Sequence, residues 1–105
     1  MYVLEGMSES DSQVVGSCLR AACEGPFFPD WEFATLMGVD RGTVQALADA
    51  WPTVSPSQEN RDIVQNAMLN LVGYPHAADD ELESFVVGGA DVIERVLRRF
   101  TGRAR

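Results

Sequence analysis

Residues 57–73, SQENRDIVQNAMLNLVG, carry the clearest structural signal in this sequence. Their apolar side chains recur every three or four residues, as they do on one face of an α-helix. These side chains are Ile63, Val64, Ala67, Met68, Leu71 and Val72. Either Ser55 or Ser57 can cap the start of the helix, and Ser55 makes the better capping box. Gly73 ends it. The segment therefore predicts an amphipathic helix that packs against other helices.

Similar patterns lie on both sides of this segment. Helical spacing runs through residues 8–24, 30–38 and 40–51 before it, and through residues 79–87 and 91–100 after it. No stretch alternates apolar and polar residues over a useful length, as a half-buried strand would. We therefore expect an all-α fold of five or six short helices.

The apolar faces of these helices define the expected core. Its predicted members are Val14, Val15, Cys18, Leu19, Ala22, Phe33, Leu36, Val44, Leu47, Trp51, Ile63, Val64, Ala67, Met68, Leu71, Phe85, Ile93, Val96 and Leu97.

A shift of 49 residues lays the helix pattern of residues 8–51 over that of residues 57–100. The shift places Trp51 on Phe100 and keeps the apolar stripes in register. Few aligned residues are identical, and any two amphipathic helices can be brought into apolar register. The shift thus suggests, for the architecture alone, two helix-plus-helical-hairpin halves about a pseudo-twofold axis.

The chain length of 105 residues fits one domain. We expect this domain to span residues 8–102, with a flexible extension at residues 1–7 and a basic tail at residues 103–105. The sequence shows neither a signal peptide nor a run long enough to span a membrane. Cys18 and Cys23 are five residues apart on one helix, so they point in different directions and cannot pair. We expect a cytoplasmic protein.

Charge is unevenly distributed along the chain. The net charge is −8, and all eight basic residues are arginines. Residues 1–90 contain fourteen acids and three arginines, whereas residues 91–105 contain two acids and five arginines. An acidic body repels phosphate groups and favours a basic protein partner. The terminal arginines also suit the negative end of a helix dipole.

Residues 33–47, FATLMGVDRGTVQAL, resemble a helix-turn-helix domain. Ala34 and Gly38 stand where that motif needs small residues, and Asp40 stands at the cap of its second helix. The resemblance implies that Arg41 and Gln45 face DNA. However, the hairpin of residues 30–51 contains four acids and one base, and DNA affinity comes mainly from cations that neutralise phosphates. We expect that nucleic acid is not the partner and keep a DNA-binding regulator as the alternative function.

Residues with catalytic or metal-binding chemistry are sparse. His76 is the only histidine, and a zinc site normally uses several His and Cys ligands. The acids that follow it are explained more simply as residues that open a helix. The sequence contains neither a phosphate-binding glycine loop nor a nucleophile motif. We expect no catalytic residue, no cofactor and no metal, and hence no enzyme.

Residues 24–33, EGPFFPDWEF, are unusually aromatic. In one interpretation, at least three of its four aromatic residues belong to the core, since large aromatic side chains are generally buried. These four residues are Phe27, Phe28, Trp31 and Phe33.

In the other interpretation, this loop presents an aromatic anchor to a protein partner. Two neighbours in an extended loop point in opposite directions, so one of Phe27 and Phe28 should be exposed. Glu24, Asp30 and Glu32 would surround the exposed ring and select a basic partner.

The EGPFFPDWEF segment, together with GVDRGTV, AWP and NLVGYPH, is similar to short all-α proteins of unknown function from high-GC bacteria, mostly actinobacteria. The similarity covers residues 20–76 and implies no activity. We therefore predict a non-enzymatic, small acidic protein-interaction module of the inhibitor or immunity kind, with an unknown oligomeric state.

Overall fold

The computed structural model describes residues 7–74 and 78–103, apart from the side chains of Asp79 and residues 101–103. Within these residues the chain forms six helices and no strand, which confirms the all-α fold. The helices are α1 (Glu9–Glu24), α2 (Asp30–Met37), α3 (Arg41–Ala50), α4 (Gln58–Gly73), α5 (Asp79–Phe85) and α6 (Gly89–Arg103).

Short polar side chains start three of these helices. The hydroxyl of Ser8 accepts a hydrogen bond from the backbone N–H of Asp11, and that of Ser57 accepts one from Asn60. Asp40 caps α3 in the same way. Such caps satisfy amide groups that have no partner within the helix. Ser57, rather than the expected Ser55, therefore opens α4.

The turn between α2 and α3 depends on Gly38. Its φ of 83° lies in the left-handed region, which only glycine adopts without strain. Two side chains of α4 hold this turn in place, because Asn66 donates to the carbonyl of Met37 and Asn70 donates to that of Leu36. Gly38, which the helix-turn-helix resemblance identified as a required small residue, thus forms a turn that is attached to α4.

One hydrophobic core joins all six helices. Most of the predicted members are buried, but five lie at its edge and are only partly buried: Val14, Leu36, Trp51, Phe85 and Leu97. The core also contains several residues that were not predicted, among them Met37, Val54, Leu82 and Val86. Val54 lies in the linker after α3, where helical spacing gives no information.

Helix bounds and several contacts follow the shift of 49 residues. The shift carries α1 onto α4 and the start of α2 onto the start of α5. The α1–α3 contact likewise matches the α4–α6 contact, and the α2–α4 contact matches the α5–α1 contact. Two pairs differ, because α6 packs on both α1 and α5 whereas α3 scarcely touches α4 or α2. The pseudo-twofold axis itself stays a prediction.

At the start of the described chain, Met7 packs against the core, although it was assigned to a flexible extension. At the other end, α6 includes Arg103, which was assigned to the tail. The other residues of these two terminal segments, and His76, lie outside the described residues. No helix in the described part of the chain is long and apolar enough to cross a membrane.

Candidate interaction surface

The aromatic loop between α1 and α2 folds into the protein. Phe27 is 2% exposed and Phe28 is 5% exposed. The Phe27 ring meets Phe85 edge-on at 5.8 Å, while Phe28 makes similar contacts with Phe33 and Tyr74. The prediction that one of the two rings is exposed is wrong. Residues 25–28 form a tight turn instead of an extended strand, so neighbouring side chains need not point in opposite directions.

Arg41 fixes this loop from the start of α3. Its guanidinium donates to the carbonyl of Cys23 at 2.7 Å, to the carbonyl of Phe28 at 3.2 Å and to Asp30 at 2.7 Å. It also lies over the Phe33 ring, 4.3 Å from the ring centre. Arg41 therefore already has partners in the protein, and a phosphate group would have to compete with them.

Glu24 belongs to a polar network between α1 and α3. Arg20 contacts both Glu24 and Asp49, and the Gln45 amide donates to the same two carboxylates. These groups are largely exposed, so the network adds little to stability. It nevertheless assigns a role to Gln45, the second residue that the helix-turn-helix resemblance placed on DNA. Gln45 lies among carboxylates, where a nucleic-acid backbone is repelled.

Glu32 connects α2 to the end of α4. The Tyr74 hydroxyl donates to Glu32 Oε1 at 2.5 Å. This hydrogen bond to a carboxylate, helped by partial desolvation and by the negative charge, raises the pKa of Tyr74 above its usual value. The three acids that were expected to surround an exposed phenylalanine therefore all have partners within the protein: Glu24 binds Arg20 and Gln45, Asp30 binds Arg41, and Glu32 binds Tyr74.

Trp31 is the aromatic residue that does reach the surface. Its side chain is 81% exposed, while Phe27, Phe28 and Phe33 are buried. This confirms that at least three of the four aromatic residues belong to the core. Trp31 lies two residues before Phe33, which on a helix is about 200° around the axis. Helical periodicity could therefore have placed it on the side opposite Phe33.

A groove runs along α4, which faces the α2–α3 turn over one stretch and α3 over the next. Two adjoining depressions form this α3/α4 groove, one of about 500 Å³ at the α2–α3 turn and one of about 320 Å³ beside α3, and they share Glu59 and Ile63. Leu47 and Val54 contribute apolar surface. Two acidic side chains, Glu59 and Asp62, lie at the edge of the groove. Among the described lining residues there is no cation, so the groove combines apolar and acidic surface.

The two cysteines have little reactivity. Both thiols are free and buried. Burial raises the pKa of Cys18 to about 12, and the pKa of Cys23 is raised in the same direction by desolvation and by Glu24. Because the thiolate is the reactive form, these thiols are poor nucleophiles. In the described part of the chain, no three His, Cys, Asp or Glu side chains are grouped as a metal ion would require.

No protein-family model matches this chain, and no curated protein or solved structure matches it either. The features of the molecule that bear on its function are the exposed Trp31, the acidic surface and the α3/α4 groove.

Proposed function

We propose that this chain is a non-enzymatic protein-interaction module that binds a basic partner and uses Trp31 as its anchor. The exposure of Trp31 carries the proposal. Tryptophan is enriched among the residues that dominate binding energy, and an exposed indole offers the large apolar area that such an anchor buries.

The acids beside Trp31 favour a basic partner. Asp30 precedes it with 94% of its side chain exposed, and Glu32 follows it. The net charge of −8 extends this preference over the whole protein. Complementary charge increases the rate of encounter and disfavours acidic partners.

The position of Trp31 is fixed before binding. Helix α2 is held at its start by the Asp30–Arg41 ion pair, in its middle by Glu32 and Tyr74, and at its end by Asn70 and Asn66. A side chain on an immobilised helix loses less conformational entropy when it binds. The immobilised α2 therefore supports Trp31 as a preformed anchor, a part for which the buried Phe27 and Phe28 are unsuited.

An inhibitor or immunity protein of a basic toxin or nuclease has this combination of small size, acidic charge and preformed surface. We also propose a cytoplasmic location, because a reducing compartment keeps the free thiols of Cys18 and Cys23 reduced. That this chain belongs to the short all-α proteins of high-GC bacteria stays a prediction.

The alternative function, a helix-turn-helix regulator, draws on the α2–α3 turn, with its left-handed Gly38 and its Asp40 cap. The exposed residues of α3 argue against it, because Gly42, Thr43, Ala46 and Asp49 provide no cation. We therefore rank it second.

Photo-crosslinking tests the proposal. Benzoylphenylalanine replaces Trp31 in cells that naturally make the protein, and Ser84 on the exposed face of α5 serves as the control position. The protein crosslinked at residue 31 is identified, purified and titrated with the unmodified chain. We expect a basic partner whose affinity falls about tenfold or more in Trp31→Ala, as for an anchor residue.

Val87→Ala is the matched control, since Val87 is also apolar and 90% exposed. We expect it to leave the affinity unchanged. Equal crosslinking at residues 31 and 84, or a partner whose affinity does not depend on Trp31, would contradict the proposal.

A further inference from the structure

We propose that the α3/α4 groove is the docking site for a basic amphipathic helix of another protein. This inference rests on the proposed function and deepens it, because it names the part of the partner that binds. The shift of 49 residues relates the space between α6 and α1 to the space between α3 and α4.

An ion pair closes the space between α6 and α1. Arg99 of α6 makes two hydrogen bonds to Asp11 of α1, of 2.8 Å and 2.5 Å. Asp11 is buried, and α6 packs directly on α1. The shift of 49 residues carries Asp11 to Asn60 and relates Arg99 to Ala50. The α3/α4 groove thus lacks both the cation and the carboxylate of the corresponding contact.

Small residues on α3 keep the α3/α4 groove open. Thr43, Ala46 and Ala50 line it, and the shift relates the two alanines to Arg95 and Arg99 of α6. The other depression of the groove, at the α2–α3 turn, is related by the shift to one lined by Ser10, Gln13, Val14, Ser17, Val86 and Val87, whose volume is only about 180 Å³ against about 500 Å³. Small residues let another helix approach closely, which is why the open side of α3 suits a helix.

The charges of the α3/α4 groove specify the occupant. Glu59 and Asp62 lie at its edge, and the shift relates them to the uncharged Ser10 and Gln13 of the smaller depression. An amphipathic helix with arginines beside its apolar stripe would place those arginines next to the two carboxylates. The charged edge therefore favours a basic helix over an acidic or purely apolar one.

The groove begins at the end of the helix that carries Trp31. Gly38, which follows the last residue of α2, lines the groove, and it is seven residues, or about 10 Å along the helix axis, from Trp31. A helix docked in the groove can therefore contact Trp31 at one end. One binding surface would include both features.

The test uses a defined probe, a capped peptide of about 14 residues, or roughly 20 Å of helix. Leucine occupies every third or fourth position and arginine occupies most of the others. A second peptide has the same composition in an order that destroys the apolar stripe. Each is titrated into the full chain, and binding is followed by backbone amide shifts in two-dimensional NMR spectra.

Ala46→Arg fills the groove, and Gln13→Arg is the matched control. Both residues are exposed on a helix, both variants add one positive charge, and Gln13 lines the smaller depression. We expect the helical peptide to shift the amides of the groove and the Trp31 indole. We expect Ala46→Arg to weaken binding about tenfold or more and Gln13→Arg to change it less than about twofold. Thermal unfolding shows that both variants are folded.

Three outcomes would overturn this inference: the absence of binding by the helical peptide, equal binding by the reordered peptide, or an equal effect of the two arginine variants. A dimer that Ala46→Arg dissociates would also overturn it, because the occupant would then be a second copy of the chain. If Trp31→Ala weakens binding while Ala46→Arg does not, the groove assignment fails and the proposed function remains.

Discussion

The indole ring of Trp51 lies directly against the bare backbone of Gly16. A Cβ atom at residue 16 would come within 2.9 Å of the ring atom Cδ1, closer than side chains normally pack. The indole N–H also donates to the carbonyl of Ser12 at 2.8 Å. Trp51 thus joins the end of α3 to α1, and Gly16 makes room for it.

Gly16→Ala should destabilise the protein. Alanine within a helix is normally more favourable than glycine by about 1 kcal/mol, but here the added methyl group displaces the Trp51 ring. We expect a net loss of about 1 kcal/mol, measured by urea unfolding. Gly73→Ala is the control, because nothing lies within 4 Å of its added Cβ, and it should be neutral or stabilising. Equal stabilisation by both variants would show that the ring is not held against residue 16.

Trp51→Ala should lower the free energy of unfolding by about 3 kcal/mol, since it removes a large aromatic contact between α1 and α3. Trp51→Phe keeps a ring but loses the hydrogen bond to Ser12, which should cost about 1 kcal/mol. Chemical denaturation of both variants measures these values. A loss below about 1 kcal/mol in Trp51→Ala would mean that the ring contributes little to packing.

Phe27→Ala and Phe28→Ala should each cost about 3 to 5 kcal/mol, because each leaves a cavity in the aromatic cluster. Trp31→Ala, at an exposed site in the same segment, should change stability by less than about 1 kcal/mol. Thermal unfolding followed by circular dichroism compares the three variants. A mild effect at Phe27 or Phe28 would argue that the loop opens readily and would restore that ring as a candidate anchor.

Tyr74 should titrate above the usual tyrosine pKa of 10.0, because its hydroxyl donates to Glu32. The hydrogen bond stabilises the neutral phenol, so its contribution to stability is complete below about pH 10 and is lost as the pH rises through the higher folded pKa. Absorbance of tyrosinate in a Tyr2→Phe background isolates this residue. Glu32→Gln should lower the pKa of Tyr74 towards 10.0. An unchanged titration curve in that variant would argue against the Glu32 contact.

The purified protein should not retard random duplex DNA in a gel at physiological salt. Non-specific DNA affinity follows from cations, and the α2–α3 hairpin has four acids and one arginine, which is already bound to Asp30. Salt-sensitive retardation that disappears in Arg41→Ala would contradict this prediction and favour the regulator. The circular dichroism spectrum of Arg41→Ala must match that of the wild type for this comparison, because Arg41 also holds the aromatic loop.

The candidate site was predicted less well than the helices. Glu24, Asp30 and Glu32 were expected to surround a phenylalanine, but each binds an internal partner. Phe27 and Phe28 were assigned opposite directions because the loop was taken as extended. Trp31 could have been recognised from its position on α2, opposite Phe33. The position of Glu59 and Asp62 beside a groove could not be recognised, because it depends on how α4 packs against the α2–α3 turn and α3.

The sequence by itself determined the helices, since the spacing of apolar residues, the caps at Ser8 and Asp40 and the stop at Gly38 act within a few residues of one another. Only the tertiary structure decided the direction of Phe27 and Phe28, the engagement of Arg41 and the separation of α3 from α4. These features depend on contacts between residues far apart in the chain. Their geometry is set by how whole helices pack, which local spacing does not encode.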